Sequence, residues 1–308
     1  MQTYNSGKLP ENAKCAVALG NFDGVHKGHA ALIEKTVDTA HKNGLLACVY
    51  TFKKHPSNFK NGFSGLITDN EEKEEILRGM GVDILYFDDF EKVKNFSCSE
   101  FCEKILAGTL HAELAVCGKN YRFGKNRSGD SETLTLEAGK LGVQALVIDY
   151  VTECGKTVNS TEIRQAIVCG NVEKAADMLG RPFSISYPVI HGRQLGRQLG
   201  FPTINQQFPE NKIKPENGVY ACLCTVGNSK YPGVANVGTK PTVTDGEKNP
   251  PVLCETHIIG YNGDLYDKNV KVDFYRRLRE EKKFSSLAEL TDAVRQNIEE
   301  TKKLFQKV

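Results

Sequence analysis

The sequence predicts an α/β domain built on a parallel sheet, followed by an antiparallel sheet or barrel closed by a helix. Three observations carry this. Up to Leu179 short apolar runs alternate with longer stretches of helical periodicity, the pattern of strands buried on both faces with helices as crossovers. After Gly180-Arg181-Pro182 the chain turns to alternating β-branched runs broken by Gly, Pro and Asn. The last stretch, Leu287 to Phe305, returns to apolar positions at helical spacing. A chain of 308 residues has the length for two cores, and the change of character sets the boundary near 183, giving domains 1–182 and 183–308.

In order, the first half reads as strand Ala16–Leu19, helix Ala30–Asn43, strand Leu45–Phe52, helix Glu71–Met80 and strand Ile84–Phe87. Helix Ser99–Leu106, strand Leu114–Cys117, a helix near Thr133–Leu141 and a strand near Ala145–Tyr150 come next. Two further helices, Ser160–Cys169 and Val172–Leu179, close this part. Strands of the second part are expected at Val219–Val226, Val234–Val237, Leu253–Ile259 and Val270–Phe274. Ligands of open parallel sheets lie beyond the strands' carboxyl ends, so the residues just after Leu19 are the first place to look.

Bulk composition narrows the field. Forty basic against thirty-eight acidic side chains give a net charge of +2, which lacks the electrostatic footprint of a nucleic-acid binder. The most basic stretch, Arg276 to Lys283, is interrupted by Glu280 and Glu281 and reads as a solvated face. Met1 to Glu11 is polar without the apolar core of a signal peptide, and no apolar run has membrane-spanning length. We expect a soluble, cytoplasmic protein with neither nucleic-acid nor membrane partners; its oligomeric state is not legible. Ten cysteines show no C-x-x-C pair and no histidines at metal-ligand spacing, so neither zinc nor disulfides are expected. Cys222 and Cys224 alternate in a strand and should both face the core, while Cys98 and Cys102 lie one helical turn apart.

The stretch Leu19-Gly20-Asn21-Phe22-Asp23-Gly24-Val25-His26-Lys27-Gly28-His29 is the most informative. A strand ending in a Gly-rich turn at a helix N-terminus suits phosphate: Gly20, Gly24 and Gly28 let backbone N–H groups approach, and the helix end carries partial positive charge. At i, i+3 spacing, His26 and His29 can share one face and donate to a phosphoryl group gaining charge. Further on, Asn159-Ser160-Thr161-Glu162-Ile163-Arg164 places two hydroxyls at a helix start and an arginine one turn in, a phosphate seat or an ordinary N-cap with a surface arginine. Asn120 to Asp130, with Tyr121, Phe123 and the cations Arg122, Lys125 and Arg127, reads as a binding loop or an exposed connection.

In the second part, Gly192-Arg193-Gln194-Leu195-Gly196-Arg197-Gln198-Leu199-Gly200 repeats Gly-Arg-Gln-Leu and reads as a glycine-rich phosphate loop. Thr203 and Asn205 flank Ile204, so in an extended segment both point the same way and can share Mg²⁺–ATP; the same residues also suit the start of an edge strand. Glu255, in the strand Cys254-Glu255-Thr256-His257, is paired, exposed on an alternating face, or catalytic.

Four segments of the first part, Gly20 to His29, Thr51-Phe52-Lys53-Lys54-His55-Pro56, Tyr121-Arg122-Phe123-Gly124 to Gly129-Asp130, and Ser160 to Arg164, resemble the adenylyltransferase module of the bifunctional prokaryotic riboflavin kinase/FAD synthetases. The second part resembles the kinase module of the same family through Gly200-Phe201-Pro202-Thr203-Ile204-Asn205, Gly218-Val219-Tyr220, Gly233 to Gly238, Glu255-Thr256-His257, Gly263-Asp264-Leu265-Tyr266, Arg279 and Lys283-Phe284. The resemblance implies a Rossmann-like nucleotidyltransferase domain and a six-stranded antiparallel barrel with a terminal helix. It implies ATP, riboflavin and FMN as substrates, FMN and FAD as products, and Mg²⁺ with ATP. By the same resemblance His26, His29 and Glu255 are catalytic. Gly20, Gly24, Gly28, Ser160, Thr161, Arg164, Gly196, Gly200, Thr203 and Asn205 bind ATP or its phosphates, and Thr203 and Asn205 hold the metal. Asn21, Asp23, Asn120, Arg122, Arg127 and Arg279 contact flavin. Two departures stand out: Ile204 where the family has Ala, and Gly260-Tyr261-Asn262 where an acidic-aromatic pair is usual. The alternatives are that one module alone is active, or that the chain is a flavin-responsive binding protein.

Overall fold

The computed structural model describes residues 1–59, 62–149, 152–153, 156–192, 195–239 and 251–306. By packing the chain divides into two units, Met1–Ser160 and Thr161–Val308. In the first, strands β1 (Gln2–Tyr4), β2 (Cys15–Leu19), β3 (Leu46–Phe52), β4 (Ile84–Asp88), β5 (Ala112–Gly118) and β6 (Gln144–Ile148) form one sheet in the order β1-β4-β3-β2-β5-β6. Every neighbouring pair is parallel. Helices α1 (Lys27–Lys42), α2 (Asn70–Gly79), α3 (Phe90–Val93), α4 (Cys98–Phe101) and α5 (Ser131–Gly139) lie between the strands, and a small ribbon, β7 (Thr152–Glu153) and β8 (Lys156–Thr157), comes after β6.

The sheet is parallel because its strands have two apolar faces. All five residues of β2 are buried; Cys15, Val17 and Leu19 join one core, while Ala16 joins the other with Ala18. Caps set the helix starts: Asp69 accepts from Glu72 N at 2.8 Å, and Ser97 and Glu100 form a capping box. The expected helix Ser99–Leu106 is α4 running into a π-helical stretch, Cys102–Ala107. Polar, short β1 was not anticipated, since it gains strand form only by pairing with β4. The expected last strand ends at Ile148, and Tyr150 lies outside the described residues.

The second unit opens with α6 (Ser160–Val168), which starts on the dividing residue, and α7 (Val172–Leu179), which Gly180 ends in the left-handed conformation at φ 77°. Strands β9 (Phe183–Pro188), β10 (Thr203–Gln207), β11 (Gly218–Val226), β12 (Ser229–Thr239), β13 (Val252–Ile258) and β14 (Asn269–Glu280) form an antiparallel sheet in the order β10-β13-β12-β11-β14-β9. Helices α8 (Leu195–Gln198) and α9 (Leu287–Phe305) complete the unit. Helix α7 packs against β9 and β14, so the division falls ahead of the expected boundary near 183. Glu173 pairs with Arg276 at 2.8 Å, and a Cβ on Gly170 would stand 2.9 Å from Arg277 Cδ.

Two bulges where β14 meets β11 bend the sheet. Its edges meet through the bridge Ile190–Asn205 and through Gln206 Nε2, which donates to Tyr187 O at 2.6 Å, so the six strands curl into a barrel. Phe183, Tyr220 and Phe274 fill the interior with Cys222 and Cys224, which face one side as expected. On the outer face Ile298 of α9 packs over Val219 and Val234.

Candidate active sites

In the first unit the strand order reverses between β2 and β5: the chain leaves β2 toward β3 and β4 on one side, and β5 leads to β6 on the other. A crevice at the carboxyl ends of such strands is the usual ligand site of this architecture. The turn Gly20–His26 leaves β2 there. His26 is the N-cap of α1, its Nδ1 accepting from His29 N at 3.3 Å, which puts the ring proton on Nε2. The two imidazoles stack with centroids 3.6 Å apart, and the Phe22 ring meets His29 edge-on at 5.2 Å. The expected pair is therefore one stacked unit at a helix N-terminus.

Each of the three glycines also has a local reason to lack a side chain. A Cβ on Gly20 would stand 2.9 Å from the Phe22 ring, and one on Gly28 would stand 3.2 Å from the His26 ring. Gly24 takes φ 84°. The N–H groups of Gly20 and Gly24 donate to Tyr50 O at 3.3 Å and Thr68 Oγ1 at 3.0 Å, whereas Gly28 lies in the first turn of α1, where N–H groups lack intrahelical acceptors.

Asp23 is the next residue of the turn, expected at the flavin. Only 1% exposed, its carboxylate accepts from Ile67 N at 3.0 Å and Thr68 N at 3.1 Å, so it fastens the turn to the segment before α2. Ser160, the last residue of the first unit, donates from Oγ to Asp23 O at 3.1 Å. Asn21 turns its carbonyl inward, accepting from Thr51 Oγ1 at 2.9 Å and Lys73 Nζ at 3.0 Å, and is itself exposed. Thr161 is exposed and Arg164 half-buried on α6. Lys73 and Thr68 belong to the site's frame but were missed. The available signal for Lys73 was its place four residues before Leu77, on the buried face of α2.

The segment after β5 leaves the carboxyl edge next to β2. It is not an open connection: Phe123 and Gly129 exchange backbone bonds of 3.1 and 3.0 Å, closing the loop between them. Asn126 and Arg127 both take left-handed φ, 58° and 60°, which non-glycine residues adopt at some cost. Asn120, Arg122 and Arg127 are exposed, and Arg122 Nη1 donates to Tyr121 O at 3.0 Å.

In the second unit β10 and β13 pair with Asn205 opposite Glu255 and Thr203 opposite His257. Glu255 is exposed between buried Cys254 and Thr256, on the alternating face that also presents Thr203 and Asn205, while Ile204 pairs with Thr256 on the other face. The row continues to Asn236 on β12, opposite Glu255, then Val219 and Arg279. Arg279 is thus three strands from Glu255, about 14 Å at ordinary strand spacing, and its Nε donates to Asn297 of α9 at 3.0 Å. Burial beside Asn297 lowers the Arg279 pKa, partly offset by Glu281.

Two glycines of the glycine-rich loop, Gly192 and Gly196, lie against Asn205 and Thr203. A Cβ on Gly192 would stand 2.5 Å from Asn205 Nδ2, and one on Gly196 would meet Phe201 O at 2.5 Å and Thr203 Oγ1 at 3.4 Å. Gly200 has open space around it and φ 83°; Arg193 and Gln194 lie outside the described residues. A hydroxyl, an amide oxygen and a nearby carboxylate are the hard donors that suit Mg²⁺ shared with phosphate oxygens. Among the described residues no cluster of three or more His, Cys, Asp or Glu forms a protein-only metal cage.

Comparison with known proteins matches each part of the chain to a family. Residues 8–162 match the FAD synthetase family model and residues 179–305 the riboflavin kinase model. The bifunctional riboflavin kinase/FMN adenylyltransferase of Bacillus subtilis is 35% identical over 300 residues, covering 96% of this chain and 94% of that protein. The protein of the same name from Pseudomonas fluorescens is 34% identical over 292 residues, with 94% and 92% covered. A solved structure named macrolide-efflux protein, from Streptococcus pneumoniae, has a TM-score of 0.87 at 30% identity and covers 97% of this chain and 98% of its own. Among the described residues here, no helix is long and apolar enough to cross a membrane. With both modules matched in one chain, and relatives of that arrangement spanning nearly all of it, this protein belongs to the bifunctional riboflavin kinase/FMN adenylyltransferase family.

Proposed function

We propose that the chain phosphorylates riboflavin to FMN on the barrel and adenylylates FMN to FAD at the histidine turn, using ATP in each step. The observation that supports it most is that each unit presents its own reactive set on one face: His26 stacked on His29 at the start of α1, and Glu255 directly across from Asn205. We assign the functional modules to 1–182 and 183–308, since by the family pattern Ser160, Thr161 and Arg164 take the phosphates that leave as pyrophosphate. The chain is assigned to the cytoplasm.

In the first reaction an FMN phosphate oxygen attacks the α-phosphorus of ATP, and the bond to the β-phosphate breaks. His26 donates from Nε2, and His29, held by the Phe22 ring, stands beside it; both stabilise charge gathering on the triphosphate. Gly28 presents a backbone N–H at the same helix end. Asp23 holds the turn, while the exposed Asn21, Asn120, Arg122 and Arg127 are assigned to FMN. In the second reaction Glu255 takes the proton of the ribityl 5′-hydroxyl as its oxygen attacks the γ-phosphorus. Thr203 and Asn205 would hold Mg²⁺, which would supply neutralisation of charge on the ATP phosphates. Gly196 and Gly200 shape the loop over those phosphates, and Arg279, anchored by α9, borders the flavin end of the row.

Flavin chromatography after incubation with riboflavin, ATP and Mg²⁺ tests the reading. The parent makes FMN and then FAD. Glu255→Gln loses FMN formation by about 100-fold or more, as removal of a general base does, and still converts supplied FMN to FAD. His29→Ala makes FMN and accumulates it. FAD formation surviving in His29→Ala overturns the histidine assignment, and bound riboflavin without turnover in the parent returns the binding-protein alternative.

A further inference from the structure

The phosphate turn of the first unit rests on a buried charge that belongs to none of its motifs. Lys73 is 4% exposed, and its Nζ donates to Asn21 O at 3.0 Å. That carbonyl has a second donor, Thr51 Oγ1 at 2.9 Å, so it does not need the lysine to be satisfied. Nor does packing need a cation: four residues before Leu77 on the buried face of α2, a methionine of similar length would fill the space. The Asp23 carboxylate favours the ammonium electrostatically while accepting from Ile67 N and Thr68 N. Desolvation outweighs that attraction and pulls the Lys73 pKa down to about 8. An ammonium is therefore held in a place where burial works against it and neither packing nor hydrogen bonding requires it.

Its position gives it a task. A trans peptide points its C=O and N–H in opposite directions, so drawing Asn21 O toward α2 aims Phe22 N–H away from it. Phe22 has φ 46°, strained for a residue with a side chain, and its ring meets His29 edge-on. We propose that Lys73 is a positioning residue for adenylyl transfer, clamping the Asn21–Phe22 peptide so that Phe22 N–H faces the substrate phosphate and the Phe22 ring keeps His29 in place. This rests on the assignment of adenylyl transfer to the histidine turn.

The test compares Lys73→Met and Lys73→Arg with the parent and with His29→Ala in the full-length chain. The measurements are FAD formation from FMN (kcat and KM separately), FMN formation from riboflavin, and the melting temperature. Lys73→Met is expected to lower kcat for FAD formation about ten-fold or more, as loss of alignment does, with the melting temperature equal to or above the parent's. FMN formation stays at the parent's rate, and Lys73→Arg recovers part of the lost kcat. A purely structural lysine gives the opposite signature, a melting temperature that falls in proportion to the rate and no recovery with arginine. That result overturns the inference, as does FAD formation within two-fold of the parent, or failure of both variants to fold. If His29→Ala also keeps full FAD formation, the fault lies in the assignment of the site and not in Lys73.

Discussion

Lys73 has consequences for stability as well as for rate. Its folded pKa, about 8, lies below the ordinary 10.5, so the folded state binds this proton less tightly than the unfolded chain does. The penalty is fully present below pH 8, shrinks as pH rises from 8 to 10.5, and is gone above that, the reverse of a lysine that gains an ion pair. A displacement of that size corresponds to about 3 kcal/mol. Denaturant unfolding of Lys73→Met should therefore show greater stability than the parent at pH 7, by up to about 3 kcal/mol, with the gap closing toward pH 10.5. The difference between the two proteins is the proper quantity, because Tyr50 and Tyr86, pushed above the ordinary tyrosine range by burial and by Asp88, add the same alkaline pH dependence to the stability of both. Thiols obey the same logic. Burial pushes Cys117 up to about 11 and Cys254 to about 12, so they stay protonated and unreactive at neutral pH, whereas Cys169 is exposed on its helix end. Among the described cysteines, a thiol reagent on the native protein should modify Cys169 first, as peptide mass mapping would show.

Elements explain what the sequence made legible and what it hid. The pairing of His26 with His29 and the common face of Thr203 and Asn205 were readable because their geometry is local: a helix start fixes i, i+3 neighbours, and strand alternation fixes faces, whereas Glu255 was singled out by the family resemblance and reaches Asn205 through the pairing of β13 with β10. Asp23 and Lys73 were not, since their partners, Ile67, Thr68 and the Asn21 carbonyl, are brought near by tertiary packing and leave no spacing in the sequence. Strands β1 and β9 escaped for a similar reason, having polar or mixed compositions that only pairing turns into strand. Glycines were recognised as important for an incomplete reason. Open backbone was expected to meet phosphate, but at Gly20, Gly28, Gly192 and Gly196 the missing Cβ makes room for the protein's own atoms. Gly192→Ala puts a methyl 2.5 Å from Asn205 Nδ2, a distance no Cβ contact tolerates, so either the loop or the amide must move. The displacement should cut riboflavin phosphorylation about ten-fold or more through misplacement of Asn205, which we assign to the metal, while FAD formation from supplied FMN is unchanged.

At the scale of the whole chain, two separate sheets carry two separate sets of reactive groups. Sheet β1-β4-β3-β2-β5-β6 presents the histidine turn, and sheet β10-β13-β12-β11-β14-β9 presents the row from Asn205 to Arg279. Nothing assigned to the machinery of either reaction is duplicated on the other sheet. FMN is the product of one set and the substrate of the other, and it is small and soluble enough to leave a protein between the two steps. A Glu255→Gln chain retains a complete adenylylation set, and a His29→Ala chain retains a complete phosphorylation set. Equal amounts of the two variants, mixed with riboflavin, ATP and Mg²⁺, should accordingly make FAD, although neither alone does. The mixture should show a lag while FMN builds up in solution, and a flavin-trapping apoprotein that binds free FMN should abolish FAD formation in the mixture. The same trap applied to the parent then separates two routes: FAD formation that it suppresses equally means FMN is released between the steps, whereas FAD formation that resists it means the intermediate stays with the chain that made it. Failure of the mixture to make any FAD, with each variant retaining its own partial reaction, would contradict the independence of the two sets.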